Sequence, residues 1–524
     1  MGISTLVMKF SAAAISLIVI ILVFIGVFSY FFGRQWIDSD HSSEMVLAGI
    51  LADENTLVSS SWLYGNELRL VYQTIFTMPL FKLLGRLDNW ALIRAINIVL
   101  NNIVLFFSYL FMMKQFNVKT KWILFSGIFL FMPVSIEYWN IVTFGGYYIF
   151  FIIQLFFCLG LYIRLLSHEG AVKTHLAESS FFSAISLVLG IQGIRPLLFV
   201  FFPLLLTCAI LYKTEKKRFS LFLGCYAFIL SCAGYFINNL LHYKFSFLSF
   251  GNMRMENSSI YLEKLGMSFI YMMDFFGFKR ESMFFSSRGF FSIAAMAATV
   301  LLIILVFRTA KKKLFMPLFF ACSAAFNIFI FIIVNRPITL RFFLPFMILY
   351  VPLAAFLFEY TGKTLNSVRH AAVICGITVF IAGQSILNFS DLYRNDINMQ
   401  RKGYVQYLLD EDLEFGFATY WNANVTTELS NGKIQVAGLL AGGRTGGISG
   451  GRTGGSGYRL SDFLIPKKYH DPHYHEGEAF LLLERSEWDS IRGRSFAKKE
   501  PAFADGKFVI IRFPSAEIIY NEFL

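Results

Sequence analysis

Apolar residues run along this chain in blocks of about 15 to 24 that hold almost no charge, a length that crosses a hydrocarbon core as a helix. Eleven blocks, at 10–32, 92–113, 122–135, 146–163, 179–193, 196–212, 219–241, 289–307, 314–334, 341–358 and 370–387, each predict a membrane helix. The first is too long for a signal-peptide core and has no small-x-small cleavage site before its polar flank, so it is expected to stay attached. A twelfth candidate, 68–84, carries Arg69, Lys82 and a central Pro79, with polar residues along one side, and reads as an interfacial helix. After residue 388 the pattern changes. Segments 480–483 and 507–513 read as strands between polar turns, which predicts a small α/β domain. The expected organisation is a transmembrane domain, 1–388, with large loops at 33–91 and 242–288, followed by a C-terminal domain, 389–524.

Composition agrees with this class and excludes a soluble protein. The 524 residues are 56% hydrophobic and 15% charged, with 62 phenylalanines, against roughly 45–50% apolar and about 25% charged in ordinary soluble domains. The six cysteines, Cys158, Cys208, Cys225, Cys232, Cys322 and Cys375, lie in or beside apolar blocks and read as small core residues. In a soluble protein the net charge of +12 would suggest an acidic partner such as nucleic acid. Here it reports orientation. With eleven spans and a cytoplasmic N-terminus, the inner segments hold 16 basic and 4 acidic residues, the outer loops 14 and 12, and the tail 16 and 18. Lysine and arginine collect in short cytoplasmic loops. The charge therefore predicts a multi-pass plasma-membrane protein with an extracytoplasmic C-terminal domain, a lipid bilayer around it and no nucleic-acid partner. Counting 68–84 as a span would put KTEKKR and RTAKKK outside, so it is rejected.

Candidate chemistry lies in what the topology leaves unexplained. Directly after the first span, WIDSDHSSE places Asp38, Asp40 and Glu44 within seven residues. Carboxylates at that depth are costly unless used; a solvated acidic loop is the competing reading. Such a group takes a proton from a hydroxyl, or binds a divalent cation, magnesium or manganese, through the D-x-D oxygens. Glu137, in SIEYWN after the third span, is a second outward acid. Arg195, in GIRP, and Arg336 and Arg341, in NRPITLRFFLP, stand on the side that the positive-inside tendency disfavours. A phosphate at the bilayer surface would account for them, since guanidinium pairs with it bidentately; snorkelling is the alternative. Lys279, Arg280 and Arg288 are weaker candidates of the same kind.

Other features carry less. GGRTGG occurs twice within 441–457 and reads as a flexible surface loop, because the strand-to-helix setting and the lysine of a phosphate loop are absent. His470, His473 and His475 match no strong zinc spacing. WLYGNELR, 62–69, mixes aromatics with amide and charge as sugar-binding surfaces do, with interface anchoring the competing reading, and the aromatics Tyr420 and Trp421 are candidate sugar platforms that core packing explains equally well.

The layout resembles the GT-C superfamily of integral-membrane glycosyltransferases, among them the protein mannosyltransferase and aminoarabinose transferase group. The resemblance rests on the aspartates of the first outer loop, the interfacial helix that ends it, and the short outer loop after span three. To these it adds Arg341-Phe-Phe-Leu-Pro345, similar to an Arg-Tyr-x-x-Pro element, and the soluble outer C-terminal domain. It implies a polyprenyl-phosphate-linked sugar donor and an extracytoplasmic glycan, lipid or protein acceptor. It also implies a catalytic base at Asp40 or Asp38, with Asp40 favoured, and a donor-phosphate contact at Arg341 with Arg336 or Arg195. Glu44 and Glu137 are then acceptor-side or second acids. The chain departs from the pattern in three places. Phe342 replaces the tyrosine, the second outer loop has Glu137 where a D-x-D is expected, and the first loop lacks Asp-Glu. A lipid-linked-glycan transporter and a non-catalytic membrane scaffold are the rival classes. Spans nearly free of charge and the absence of a long internal repeat argue against transport.

Overall fold

In the computed structural model the chain is described at residues 3–522 and 524, apart from 66, 147, 168–175, 248–254, 311–313, 335–338, 442–456 and 492–499. The apolar blocks become helices because a chain in lipid must satisfy its backbone N–H and C=O groups internally. Among the described residues nine helices are long and apolar enough to cross a membrane. They become ten if the bent pair Thr120–Phe131 and Ile136–Thr143 is one span. The block at 179–193 is the helix Leu176–Gln192, apolar but only 17 residues long. The expected count of eleven is therefore not reached on length and composition. Segment 68–84 is helical only over Thr74–Leu84 and is not among the long spans.

The pair at 120–143 bends by 96° around Met132-Pro-Val-Ser135. Pro133 has no N–H to continue the first helix, and the Ser135 side chain accepts the Tyr138 N–H at 3.1 Å to cap the second. The buried break is satisfied by Tyr138 Oη donating to Leu130 O at 2.9 Å and by Asn388 Nδ2 donating to Pro133 O at 3.0 Å.

The chain divides into two compact bodies. The first comprises Met1–Gly26, Ile98–Leu240 and Asn252–Arg394 and is helical. Ile20, Phe107, Phe222, Ile229 and Leu301, all on its long helices, are more than half exposed, as lipid-facing side chains are. One close helix contact in it is the crossing of Leu176–Gln192 with Arg218–Leu241. A Cβ on Gly190 would stand 2.1 Å from Ser231 O, and one on Gly234 the same distance from Leu187 O. Two glycines let the backbones meet, the small-residue packing that membrane helices use where lipid removes the hydrophobic drive.

The second body comprises Val27–Asn97, Leu241–Gly251 and Asn395–Leu524. The first large loop thus shares a body with the tail, and the middle loop is divided, its larger part going with the helices. The tail forms a six-stranded sheet of order β5-β4-β3-β7-β9-β8: β3 Phe415–Thr419, β4 Gln435–Ala441, β5 Tyr458–Leu460, β7 Ala479–Glu484, β8 Phe503–Ala504 and β9 Phe508–Phe513. β4, β3 and β7 are parallel, and the other neighbours are antiparallel. The near-continuous apolar runs FGFAT, AFLLL and FVIIRF are what strands buried on both faces require. The helix Tyr420–Leu429 starts directly after β3. A smaller sheet joins β1 Trp62–Tyr64, parallel to β2 Ser246–Phe247 and antiparallel to β6 Ile465–Pro466. Trp62 and Tyr64 are buried in this body's core with Leu464, so WLYGNELR does not present those two rings as an open platform.

Candidate active site

The acids of the first loop sit at the start of one helix of the second body, Ser39–Glu54. Asp38 is its N-cap and accepts the His41 N–H at 2.9 Å, supplying one of the partners that the first turn of a helix lacks. His41 Nδ1 lies 2.9 Å from the same carboxylate oxygen. Burial works against the charge of Asp38, yet His41, through its ring and its N–H, holds the carboxyl down to about 2.

Asp40 lies in the first turn and is half-buried. Residues two apart on a helix do not face each other, so the D-x-D spacing does not give a pair of carboxylates acting together. The Tyr420 hydroxyl donates to Asp40 Oδ1, and Ser39 Oγ donates to Tyr420 O. Glu44, one turn on, is buried in an ion pair with Arg69, which is also buried.

Two further links fix this helix against the tail. Arg94 donates to both oxygens of Glu428 at 2.6 Å and to His41 O at 3.1 Å. Asn398 Nδ2 donates to Arg34 O at 3.0 Å and Ile37 O at 2.8 Å, and its Oδ1 accepts from Arg401 at 2.7 Å. Sequence pattern did not single out Arg94, Glu428 or Asn398. An arginine four residues into an apolar helix was the available signal, since ionisable groups there are costly without a partner. Tyr420 is buried and stacks on Phe463 with ring centroids 4.7 Å apart, whereas Trp421 is 55% exposed.

The basic candidates and Glu137 belong to the helical body. Arg195 lies in the turn Ile194–Pro196, 5.6 Å from the centroid of Tyr148 and 5.9 Å from that of Phe151. Arg341 lies in the 3-10 turn Leu340–Phe342, over the ring of Phe342 at 5.5 Å, and Pro345 opens the helix Leu344–Met347. Arg336 lies outside the described residues, as does nearly all of the GGRTGG segment. Glu137 is half-buried in the first helical turn after the Pro133 break. A cavity of about 610 Å³ in this body is lined in part by Tyr271, Asp274, Lys279, Arg280 and Arg288. Two of its cations, Lys279 and Arg288, pair with Asp391. Burial raises the Asp274 carboxyl, and nearby Arg280 opposes that rise.

Among the described residues no group of three or more His, Cys, Asp or Glu side chains is placed to hold a metal ion. His470 and His475 instead meet backbone carbonyls, Ser461 O at 2.9 Å and Glu478 O at 3.2 Å.

The multi-span helical body, and the C-terminal α/β region whose helix Tyr420–Leu429 is bonded to the acid-bearing helix, make this a polytopic helical membrane fold with a sheet-containing second body. In fold the chain is similar to ArnT from Cupriavidus metallidurans. The match to its structure bound to undecaprenyl phosphate has a TM-score of 0.57 at 11% identity and covers 98% of each chain. The match to its apo structure has a TM-score of 0.55 at 11% identity, over 94% of this chain and 97% of that one. No family model and no curated protein sequence matches.

Proposed function

We propose that this chain is a GT-C-type membrane glycosyltransferase that moves a hexose or pentose from a polyprenyl-phosphate donor to an acceptor hydroxyl. The observation that carries the reading is the fold likeness to ArnT over 98% of both chains, in a structure holding undecaprenyl phosphate. The acceptor oxygen attacks the anomeric carbon, the bond from that carbon to the phosphate oxygen breaks, and polyprenyl phosphate leaves. Asp40 receives the acceptor proton. Asp38 suits that role poorly, because it caps a helix and its carboxyl is held at about 2; a useful base has its pKa nearer the working pH. With no separate nucleophile in the reading, a single displacement inverts the anomeric centre. Arg341, with Arg336 or Arg195, holds the donor phosphate and stabilises the charge that grows on it. No step is routed through a metal ion. The acceptor is an extracytoplasmic glycan, lipid or protein.

The test is to incubate the purified protein with radiolabelled undecaprenyl-phosphate-linked sugars and follow transfer or release of label. The wild type turns over at least one donor, and Asp40→Asn slows that turnover by at least roughly 10²-fold. Donor binding without turnover would instead mark a carrier of lipid-linked sugars, and an Asp40→Asn variant of normal rate would remove Asp40 from the mechanism.

A further inference from the structure

We infer that Tyr420, from the C-terminal tail, is a positioning residue for Asp40. The inference rests on the proposed role of Asp40 as base. It makes the tail part of the catalytic machinery rather than only a surface for recognising acceptors.

A carboxylate in the first turn of a helix can rotate about its side-chain torsions, whereas a base must present its oxygen along one O–H direction. Each displacement of about 1 Å is costly in rate. The Tyr420 hydroxyl donates to Asp40 Oδ1 across 380 positions of sequence. A phenol is well matched to this role. Being neutral at working pH, it orients the carboxylate without cancelling its charge, and hydrogen bonds to ionised acceptors are stronger than neutral ones.

The phenol is itself held. Its ring is 6% exposed and packed on Phe463 at 4.7 Å, and its carbonyl accepts from Ser39, the residue next to Asp40. Tyr420 also opens the helix that ends at Leu429. Glu428 of that helix is clamped by Arg94, which in turn binds His41 O on the far side of Asp40. The helices of base and positioner are therefore joined directly through Tyr420 and again through Arg94 of a third helix, Trp90–Lys114. Core packing alone would explain a buried ring on Phe463. It does not require a hydroxyl that donates to a carboxylate in the first turn of the neighbouring helix.

The test is a double-mutant cycle on turnover of an undecaprenyl-phosphate-linked sugar, using purified full-length protein. Tyr420→Phe is expected to lower kcat roughly tenfold, the size of one charge-assisted hydrogen bond, with KM for the donor nearly unchanged. In an Asp40→Asn background the same substitution should add nothing further. Tyr404→Phe, which removes a buried hydroxyl bonded to Thr426 at 2.9 Å elsewhere in the tail, should leave kcat unchanged. Should Tyr420→Phe fail to fold, Ser39→Ala loosens Tyr420 without touching the phenol and should give a smaller loss that also vanishes with Asp40→Asn. A wild-type kcat in Tyr420→Phe, or an equal loss in both backgrounds, overturns the inference. Failure of the underlying reading shows differently, as a wild type silent on every donor or an Asp40→Asn variant at full rate.

Discussion

The two bodies solve the problem of holding their segments together in opposite ways. The helical body relies on close backbone approach, seen where Gly190 and Gly234 cross, and on hydroxyls and amides turned onto backbone carbonyls, such as Asn238 Nδ2 on Ile191 O at 2.7 Å. The other body relies on buried charge. Arg69 with Glu44 and Arg94 with Glu428 are ion pairs whose four side chains are each no more than 5% exposed, and the second joins residues 334 positions apart. Charge buried in this way is expensive unless it is fully paired. It has one property that packing lacks: it tolerates a single geometry, so it fixes the helix that carries Asp40 in place. The difference separates a lipid-embedded frame, where shape suffices, from a region where the orientation of a few side chains matters.

The largest break in that comparison comes from removing one partner of the Arg94 pair. Arg94→Ala leaves Glu428 buried and unpaired and should cost about 3–5 kcal/mol, whereas Arg94→Met with Glu428→Leu should be far milder, because the pair itself is near balance with an apolar substitute. Thermal unfolding in detergent, read by the fluorescence of the buried Trp488 of the tail, checks both. Activity should separate from stability here, since the double variant keeps the fold yet loses the clamp and should turn over slowly. The next largest effect belongs to the helical body. Gly190→Leu forces apart two backbones already in contact and should cost about 1–3 kcal/mol, with kcat at low temperature little changed. If Gly190→Leu reduced kcat as strongly as the double Arg94 variant, the division of labour between the two bodies would fail.

Much of this was legible from period and length. The tail strands 480–483 and 507–513 coincide with β7 and β9 to within a residue, because apolar runs of that length with β-branched and aromatic residues have few other uses. The helices follow the apolar blocks. The bend at Pro133 was hidden because hydropathy measures how apolar a stretch is and carries no direction. The union of the first loop with the tail was hidden for a different reason: pairings such as Asp40 with Tyr420 leave no local trace in either segment. The acids themselves were visible, but spacing could not assign their work. Three carboxylates within seven residues become a helix cap, a partner for Tyr420 and half of a buried ion pair. That division follows from helical geometry and from neighbours far along the chain.

The smallest prediction uses pH to tell the two kinds of holding apart. Asp38 carries a carboxyl lowered to about 2 by His41 against the cost of burial. A depressed carboxyl contributes stability that is fully present above its ordinary value of about 3.9 and is lost as pH falls through the folded value. Asp38→Ala removes both the cap and the ion pair and should cost about 1 kcal/mol at neutral pH, no more, since the side chain is partly open to solvent. The gap in unfolding temperature between wild type and Asp38→Ala should narrow below about pH 4 and close toward pH 2. Asp38→Asn, which keeps a capping oxygen without the charge, should show a smaller neutral-pH gap that closes over the same window. The Gly190→Leu gap should stay constant over this range, because the groups its side chain displaces are backbone carbonyls and another glycine. An Asp38→Ala gap equally flat with pH would mean that the cap works through shape alone, and this end of the acid-bearing helix would then be held as the helical body is.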